Sequence, residues 1–304
     1  MSGDPLILYI PGLLPKPKAA THRDALLRCL LAGVRRIDGD VARMIEAKDH
    51  HFDIVSWTYN FYGVHRNFAI DANAVDAVIA QPQPTQRDID EAFSWRRRLA
   101  RRIFLLGDLL PLLIPHIANE RLELHLRDLR RYARNRNGIA EHVRQMLKTL
   151  LRAAAEAQRP VLLLAHSMGS VIAYDALWQM SHSDGDKLRI DLLLTMGSPL
   201  GQRYIQRRLQ GHRESGSRRY PDNIRRWINL TAVGDLTAID PVLSDDFAAM
   251  IDLGLVEGID DRELHNYFRL AGELNVHAEY GYLVHAETAK IVTEWWQSAV
   301  QISR

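Results

Sequence analysis

The sequence predicts an α/β protein in which a mostly parallel central sheet is flanked by helices. Three observations carry that expectation. Short runs of aliphatic residues alternate with segments whose apolar positions recur at helical spacing. The first such run, Leu6–Ile10, stops at Pro11-Gly12, a tight turn after a buried strand. The same alternation then resumes at residue 161, after a long stretch without strand signals.

Taken in order, Thr21 follows Pro15 and Pro17 and stands where it can cap a long helix. Leu27, Leu30, Leu31, Val34, Val41 and Ile45 share its apolar face, with a break expected near Gly39. Residues 52–57 are rich in aromatic and β-branched types and read as a strand. From residue 67 to 159 strand signals are almost absent, so the core is expected to comprise residues 1–66 and 160–304, with 67–159 inserted as a helical cap. Pro82 and Pro84 mark a turn within it. Leu122, Leu126, Leu129 and Ala133 form one helical face, and Ile139, Val143, Leu147 and Leu150 another. Beyond the insertion, residues 161–165, Ile190–Met196 and 225–231 read as strands, with 261–268 a weaker one. Helices are expected at 169–180 and 285–300.

Composition narrows the class. With 47% hydrophobic and 25% charged residues among 304, the chain is neither a disordered tail nor a fibrous repeat. A single cysteine, Cys29, excludes an internal disulfide and a cysteine-rich zinc site. No uncharged apolar run approaches the ~20 residues that span a bilayer, and the first residues lack a secretory pattern, so a soluble cytoplasmic protein is expected. Residues 87–160 hold 16 Lys/Arg against 9 Asp/Glu, while the remainder holds 23 against 28, so the basic charge is confined to the insertion. No nucleic-acid-binding motif accompanies it, and a solvated helix face accounts for it.

The most informative stretch is Ala165-His166-Ser167-Met168-Gly169. It places a serine between small residues, after four aliphatics and before a helix. A backbone turning that sharply cannot admit large neighbours, and the turn lifts the hydroxyl above the sheet edge. Serine is a weak nucleophile by itself, so it needs an imidazole to take its proton and a carboxylate to orient that imidazole. This stretch resembles the nucleophile elbow of the α/β-hydrolases, whose pattern is G-x-S-x-G, with Ala165 in place of the first glycine.

The resemblance implies an acid after a late strand and then a histidine before the last helix. Asp235, after residues 227–234, is the favoured acid, and Asp240, before Pro241, is its rival. His277 lies in a segment resembling the histidine loop of bacterial lipase-like hydrolases, roughly N-x-H-x-x-x-x-Y-L. His285, where the last helix begins, is the alternative. An oxyanion hole requires two backbone donors. The resemblance implies Met168 N–H for one. For the other, Gly12 lets the loop after the first strand turn inward, and Leu13 N–H is the first choice, since Pro11 has no N–H. Gly197-Ser198-Pro199-Leu200 also resembles lipase-like hydrolases and is expected to shape the pocket floor.

Residues 103–117 are apolar at 10 of 15 positions but interrupted by Gly107, Asp108, Pro111 and Pro115, so they cannot form one straight helix. Leu109 and Leu113 in this run are expected to contact substrate, and Arg96–Arg98 with Arg101 and Arg102 offer a site for an anionic lipid head group. The expected activity is carboxylic-ester hydrolysis on a small-molecule or lipid ester, without cofactor or metal and without nucleic acid, with peripheral membrane contact through the cap. A thioesterase or amidase with the same residues, or a non-catalytic binding protein on the same fold, are the alternatives. Dehalogenase and epoxide-hydrolase chemistry would need a carboxylate at position 167. His50-His51 shows no metal spacing with nearby acids in sequence.

Overall fold

The structure, a computed structural model, describes residues 3–94 and 120–302. Among these residues, strands β1 (Leu6–Ile10), β2 (Phe52–Ile54), β3 (Val161–His166), β4 (Ile190–Met196), β5 (Ile224–Ala232) and β6 (Ile259–Leu264) form one sheet in the order β2-β1-β3-β4-β5-β6. Every neighbouring pair is parallel. Parallel neighbours need crossover connections. Helices α1 (Ala19–Ile37) and α2 (Gly39–Glu46) join β1 to β2. Helices α3 (Ala72–Ala80), α4 (Gln86–Ala92), α5 (Glu120–Ala133) and α6 (Ile139–Glu156) precede β3. Helix α7 (Met168–Gln179) follows β3, and α8 (Glu279–Val284) and α9 (Ala286–Ile302) close the chain.

The aliphatic runs are central strands because both their faces are covered. In β1 all five residues are buried. Ile7 and Tyr9 pack in one layer with α1, α3 and α9, whereas Leu6, Leu8 and Ile10 pack in the other with α6 and α7. β3 alternates the same way, Leu162 and Leu164 against Leu163 and Ala165. Each Leu or Ile so buried contributes about 1.5–3 kcal/mol relative to exposure.

The strand order positions the site. The chain leaves β1 toward β2 on one side and leaves β3 toward β4 on the other. The carboxyl ends of β1 and β3 therefore flank the point where the winding reverses, where open parallel sheets form their crevice. The turn after β1 carries Gly12, and the turn after β3 carries Ser167.

Several expectations are corrected. Helix α1 starts at Ala19, and its first bond, His22 N–H to the Lys18 carbonyl (2.9 Å), already encloses Thr21, which is therefore not the cap. The break near Gly39 is present: Asp38 is extended, and its carboxylate accepts from the Asp40 and Val41 amides to cap α2. Strand β2 ends at Ile54, because the Trp57 amide turns back to the Val55 carbonyl at 2.9 Å. Helices of the stretch 67–159 also take part in the layers that cover the sheet. Val75 and Val78 of α3 join the α1 layer, and Ala140, Val143, Leu147 and Leu151 of α6 lie under β1 and β3. Helical periodicity shows which face is apolar but not what that face covers. Leu109, Leu113 and the arginines at 96–98, 101 and 102 lie outside the described residues. Among the described residues no helix is long and apolar enough to cross a membrane.

Helix α7 meets the end of β1 so closely that a Cβ on Gly169 would collide with the Ile10 carbonyl and lie 2.8 Å from the Pro11 carbonyl oxygen. In an open helix, Gly to Ala stabilises by up to ~1 kcal/mol. Here the sign reverses. Gly169→Ala is expected to lower unfolding free energy by about 1–3 kcal/mol, whereas Gly39→Ala, where the nearest atom is the Arg43 guanidinium at 3.6 Å, costs nothing measurable. Urea denaturation of both variants checks the contrast.

Candidate active site

Ser167 adopts φ 54° and ψ −126°, a region that a residue with a side chain rarely occupies. Such strain costs of order 1–3 kcal/mol and persists only where surrounding contacts impose it. Here the contacts are plain. The Ser167 amide donates to the Met196 carbonyl at the end of β4 (2.9 Å). Its own carbonyl accepts from the Ser170 amide (3.0 Å) and the Ser170 hydroxyl (2.6 Å). Ser170 Oγ is in turn 2.7 Å from Ser198 Oγ, which ties the loop after β4 to the first turn of α7.

The hydroxyl so presented meets a histidine. Ser167 Oγ lies 2.9 Å from His277 Nε2, and His277 Nδ1 lies 2.8 Å from Asp235 Oδ2. With the Nδ1 proton donated to the carboxylate, Nε2 is left as the acceptor facing the serine. Asp235 is buried; its Oδ1 accepts from the Thr237 amide (2.8 Å) and its Oδ2 from the Tyr282 hydroxyl (2.9 Å). Burial opposes the Asp235 charge, but the His277 ring and these hydrogen bonds outweigh it and hold the carboxyl below its ordinary pKa. Tyr282 is itself fixed by the Ala232 amide, which donates to its oxygen (2.8 Å) from the end of β5.

The loop after β1 lies against the serine. A Cβ on Gly12 would sit 2.6 Å from Ser167 Cβ and 3.1 Å from Oγ, so only glycine allows this approach. The loop is fastened along its length. Trp57 Nε1 donates to the Pro11 carbonyl (2.9 Å), and the Leu14 amide donates to Tyr62 Oη (3.0 Å), whose hydroxyl donates to Asp128 of α5 (2.9 Å). Leu14 N–H is thereby occupied, whereas Leu13 N–H has no acceptor among the described residues. Met168 N–H heads α7, where helical amides lack an internal acceptor.

Behind the site lies a buried carboxylate that sequence reading missed. Glu279, two residues after His277, accepts from Tyr9 Oη (2.9 Å), Lys16 Nζ (2.8 Å) and His22 Nε2 (2.9 Å). Burial disfavours its charge, yet Lys16 and His22 hold its pKa well below the ordinary value. Glu279 thus joins β1, the loop after β1 and α1 to the histidine loop. His166 makes a second tie, donating from Nε2 to the His277 carbonyl (2.9 Å). Burial and the neighbouring His277 push the His166 pKa down to about 3, so it stays neutral.

The rival residues stand elsewhere. His285 caps α9, its Nδ1 accepting from the Glu287 amide (3.1 Å), and burial lowers its pKa to about 4. Asp240 accepts from the Val242 amide in a turn (3.3 Å), with its backbone against Gly201. The structure therefore brings together Ser167, His277, Asp235, Gly12, Leu13 and Met168, and places His285 and Asp240 outside that group. Of the supporting residues, Tyr282 had a sequence signal as the tyrosine of the histidine-loop pattern, and Ser198 as part of Gly197-Ser198-Pro199-Leu200.

The buried Glu279 charge has a pH signature. Its folded pKa lies below the unfolded value near 4.5, so it contributes stability at neutral pH that is lost as pH falls below about 4.5. Glu279→Gln removes one partner of a buried ion pair and is expected to cost about 3–5 kcal/mol at pH 7. The variant should also lose less stability than the parent between pH 6 and pH 4 (roughly, across the ordinary carboxylate range). Urea denaturation at the two pH values measures both effects.

A model of a family described as an alpha/beta hydrolase of unknown function (DUF900) matches residues 123–199. No curated protein and no solved structure matches the chain. The matched stretch runs from α5 through α6, the elbow strand, Ser167 and β4 to Pro199. With a parallel sheet wound in both directions about the β1–β3 junction and a serine held in a strained turn there, the chain has the α/β-hydrolase fold, and its residues 123–199 are similar to that family of hydrolases.

Proposed function

We propose that this protein is a serine hydrolase that cleaves carboxylic esters through an acyl-enzyme intermediate. The observation that carries the reading is the continuous hydrogen-bonded line Ser167–His277–Asp235 in a chain of this fold. Ser167 Oγ attacks the ester carbonyl carbon while its proton passes to His277 Nε2. Asp235 holds the Nδ1–H tautomer and stabilises the imidazolium that forms. The carbonyl oxygen becomes an oxyanion, which the Leu13 and Met168 amides receive. Leu14 cannot serve, because its amide is already donated to Tyr62. His277 then gives the proton to the departing alkoxide. Water enters, loses a proton to the same nitrogen and releases the acid, regenerating Ser167. No step calls for a cofactor.

His166 and His285, with pKa values lowered to about 3 and about 4, stay neutral and spend their rings on structural hydrogen bonds, which supports His277 as the base. The apolar run 103–117, with Leu109 and Leu113, supports an acyl group of some length as the substrate's hydrophobic part.

Treatment with a fluorophosphonate followed by peptide mapping is expected to place the adduct on Ser167. Ser167→Ala should reduce kcat for p-nitrophenyl esters by about 10⁶, and His277→Ala should be far more damaging than His285→Ala. Labelling at another serine, or a greater loss in a folded His285→Ala protein, overturns the assignment. Turnover of thioesters or amides in preference to esters of the same acyl group would move the substrate class while leaving the nucleophile in place.

A further inference from the structure

At the opposite end of the sheet from Ser167, Asp4, two residues before β1, meets the turn before β2. Asp4 Oδ2 lies 3.0 Å from His50 Nε2 and 4.0 Å from His51 Nε2, and the three ligand-type atoms all fall within 4.8 Å of one another. We propose that Asp4, His50 and His51 form a binding site for a borderline divalent transition-metal ion such as Zn²⁺ or Co²⁺, separate from the candidate active site.

The geometry points to a cation. His51 Nδ1 donates its proton to the Met44 carbonyl (2.9 Å), which leaves Nε2 as a lone pair directed at the Asp4 carboxylate. Two acceptors facing each other across 4.0 Å gain nothing from one another, but both gain from a cation between them. A backbone carbonyl on the far nitrogen is also how metal-binding imidazoles are oriented. The His51 ring is buried and held edge-on by Trp296, with centroids 4.9 Å apart, so its direction is set by packing.

The two segments carrying these groups are fastened together before any ion arrives. Arg159 donates to the backbone carbonyls of Asp4 (2.7 Å), Pro5 (3.1 Å) and His50 (2.6 Å). Asp4 and His50 are themselves half exposed, and a cavity of about 610 Å³ lined by His50, Arg159 and Leu150 opens beside them, which gives an ion a path. Two imidazoles and one carboxylate suit zinc or its neighbours in the first transition row better than magnesium or calcium, which prefer oxygen donors.

One group competes for the position. Lys48 Nζ lies 2.6 Å from the same Asp4 oxygen. Its side chain is half exposed and free to swing into water, so the ammonium acts as a displaceable occupant. This competition separates a metal site from an ordinary surface ion pair. Removing Lys48 weakens an ion pair but strengthens a metal site.

The test uses the full chain stripped with a chelator and titrated with Co²⁺ followed by absorbance, then with Zn²⁺ by calorimetry. One equivalent is expected to bind, with Asp4→Asn and His50→Ala each weakening it by at least about tenfold. Both positions are exposed, so these variants fold. Lys48→Met is expected to tighten binding by about tenfold, as one positive charge leaves the site. Saturating Zn²⁺ should raise Tm of the parent and leave that of Asp4→Asn unmoved, because an ion that binds only the folded state stabilises it. Unchanged binding in Asp4→Asn and His50→Ala, weaker binding in Lys48→Met, or no bound equivalent in the parent overturns the proposal.

Discussion

The carboxyl edge of the sheet is organised by how closely the end of β1 is drawn against the turn after β3. At two places, Gly12 over Ser167 and Gly169 under the Ile10 and Pro11 carbonyls, the backbones approach to distances that no side chain would permit. That closeness brings the Gly12–Leu14 segment over the Ser167 hydroxyl. It is also why the strained backbone at Ser167 does not relax. The serine carbonyl is held by two donors from α7 and the amide by β4, while β1 closes the remaining side. Strain of order 1–3 kcal/mol is small beside the burial of β1 and β3, where every side chain lies inside the protein.

Buried charge completes what packing begins. Hydrophobic contact is non-directional, so it brings loops together without fixing their relative orientation. Glu279 supplies direction. Its two oxygens receive donors from β1, the loop after β1 and α1, and each donor fixes one segment relative to the histidine loop. A buried ion pair is weak evidence of added stability, because desolvation offsets attraction. Its effect here is geometric: the segment bearing Leu13 cannot shift without breaking a bond to the segment bearing His277. Tyr62 and Asp128 repeat the device on the other side of the same loop.

Legibility in the sequence followed sequence distance. β1, β3 and β4 are readable because a strand covered on both faces is a mostly apolar run, and the elbow is readable because its residues are five in succession. Asp235 and His277 could be found from chain order and their places after strands. Glu279 could not, since its partners Tyr9, Lys16 and His22 lie 270, 263 and 257 residues away. Asp4 and His50 escape for the same reason: adjacent histidines carry no ligand spacing until folding brings in a carboxylate 46 residues distant. α3 and α6 have the periodicity of any amphipathic helix, and which layer such a face covers is a tertiary fact that the sequence does not carry.

The histidines around the site show how one fold separates identical side chains by environment. His166 adjoins Ser167 in sequence, and His285 heads the last helix, yet burial without an acidic partner drives their pKa values down to about 3 and about 4. Each spends its ring on structure, one donating to a carbonyl and the other accepting from an amide. His277 differs in two respects at once. It is partly open to solvent, and it stands between the Ser167 hydroxyl and a buried carboxylate. In the proposed reaction Nε2 takes the serine proton, and the carboxylate stabilises the imidazolium that results. Moving the same ring to position 166 would keep it near the serine but remove its counter-charge, and moving it to 285 would remove both. The pairing of an accessible imidazole with a buried, hydrogen-bonded acid is therefore what supports the proposed base role of His277, eight residues before the histidine that caps the final helix.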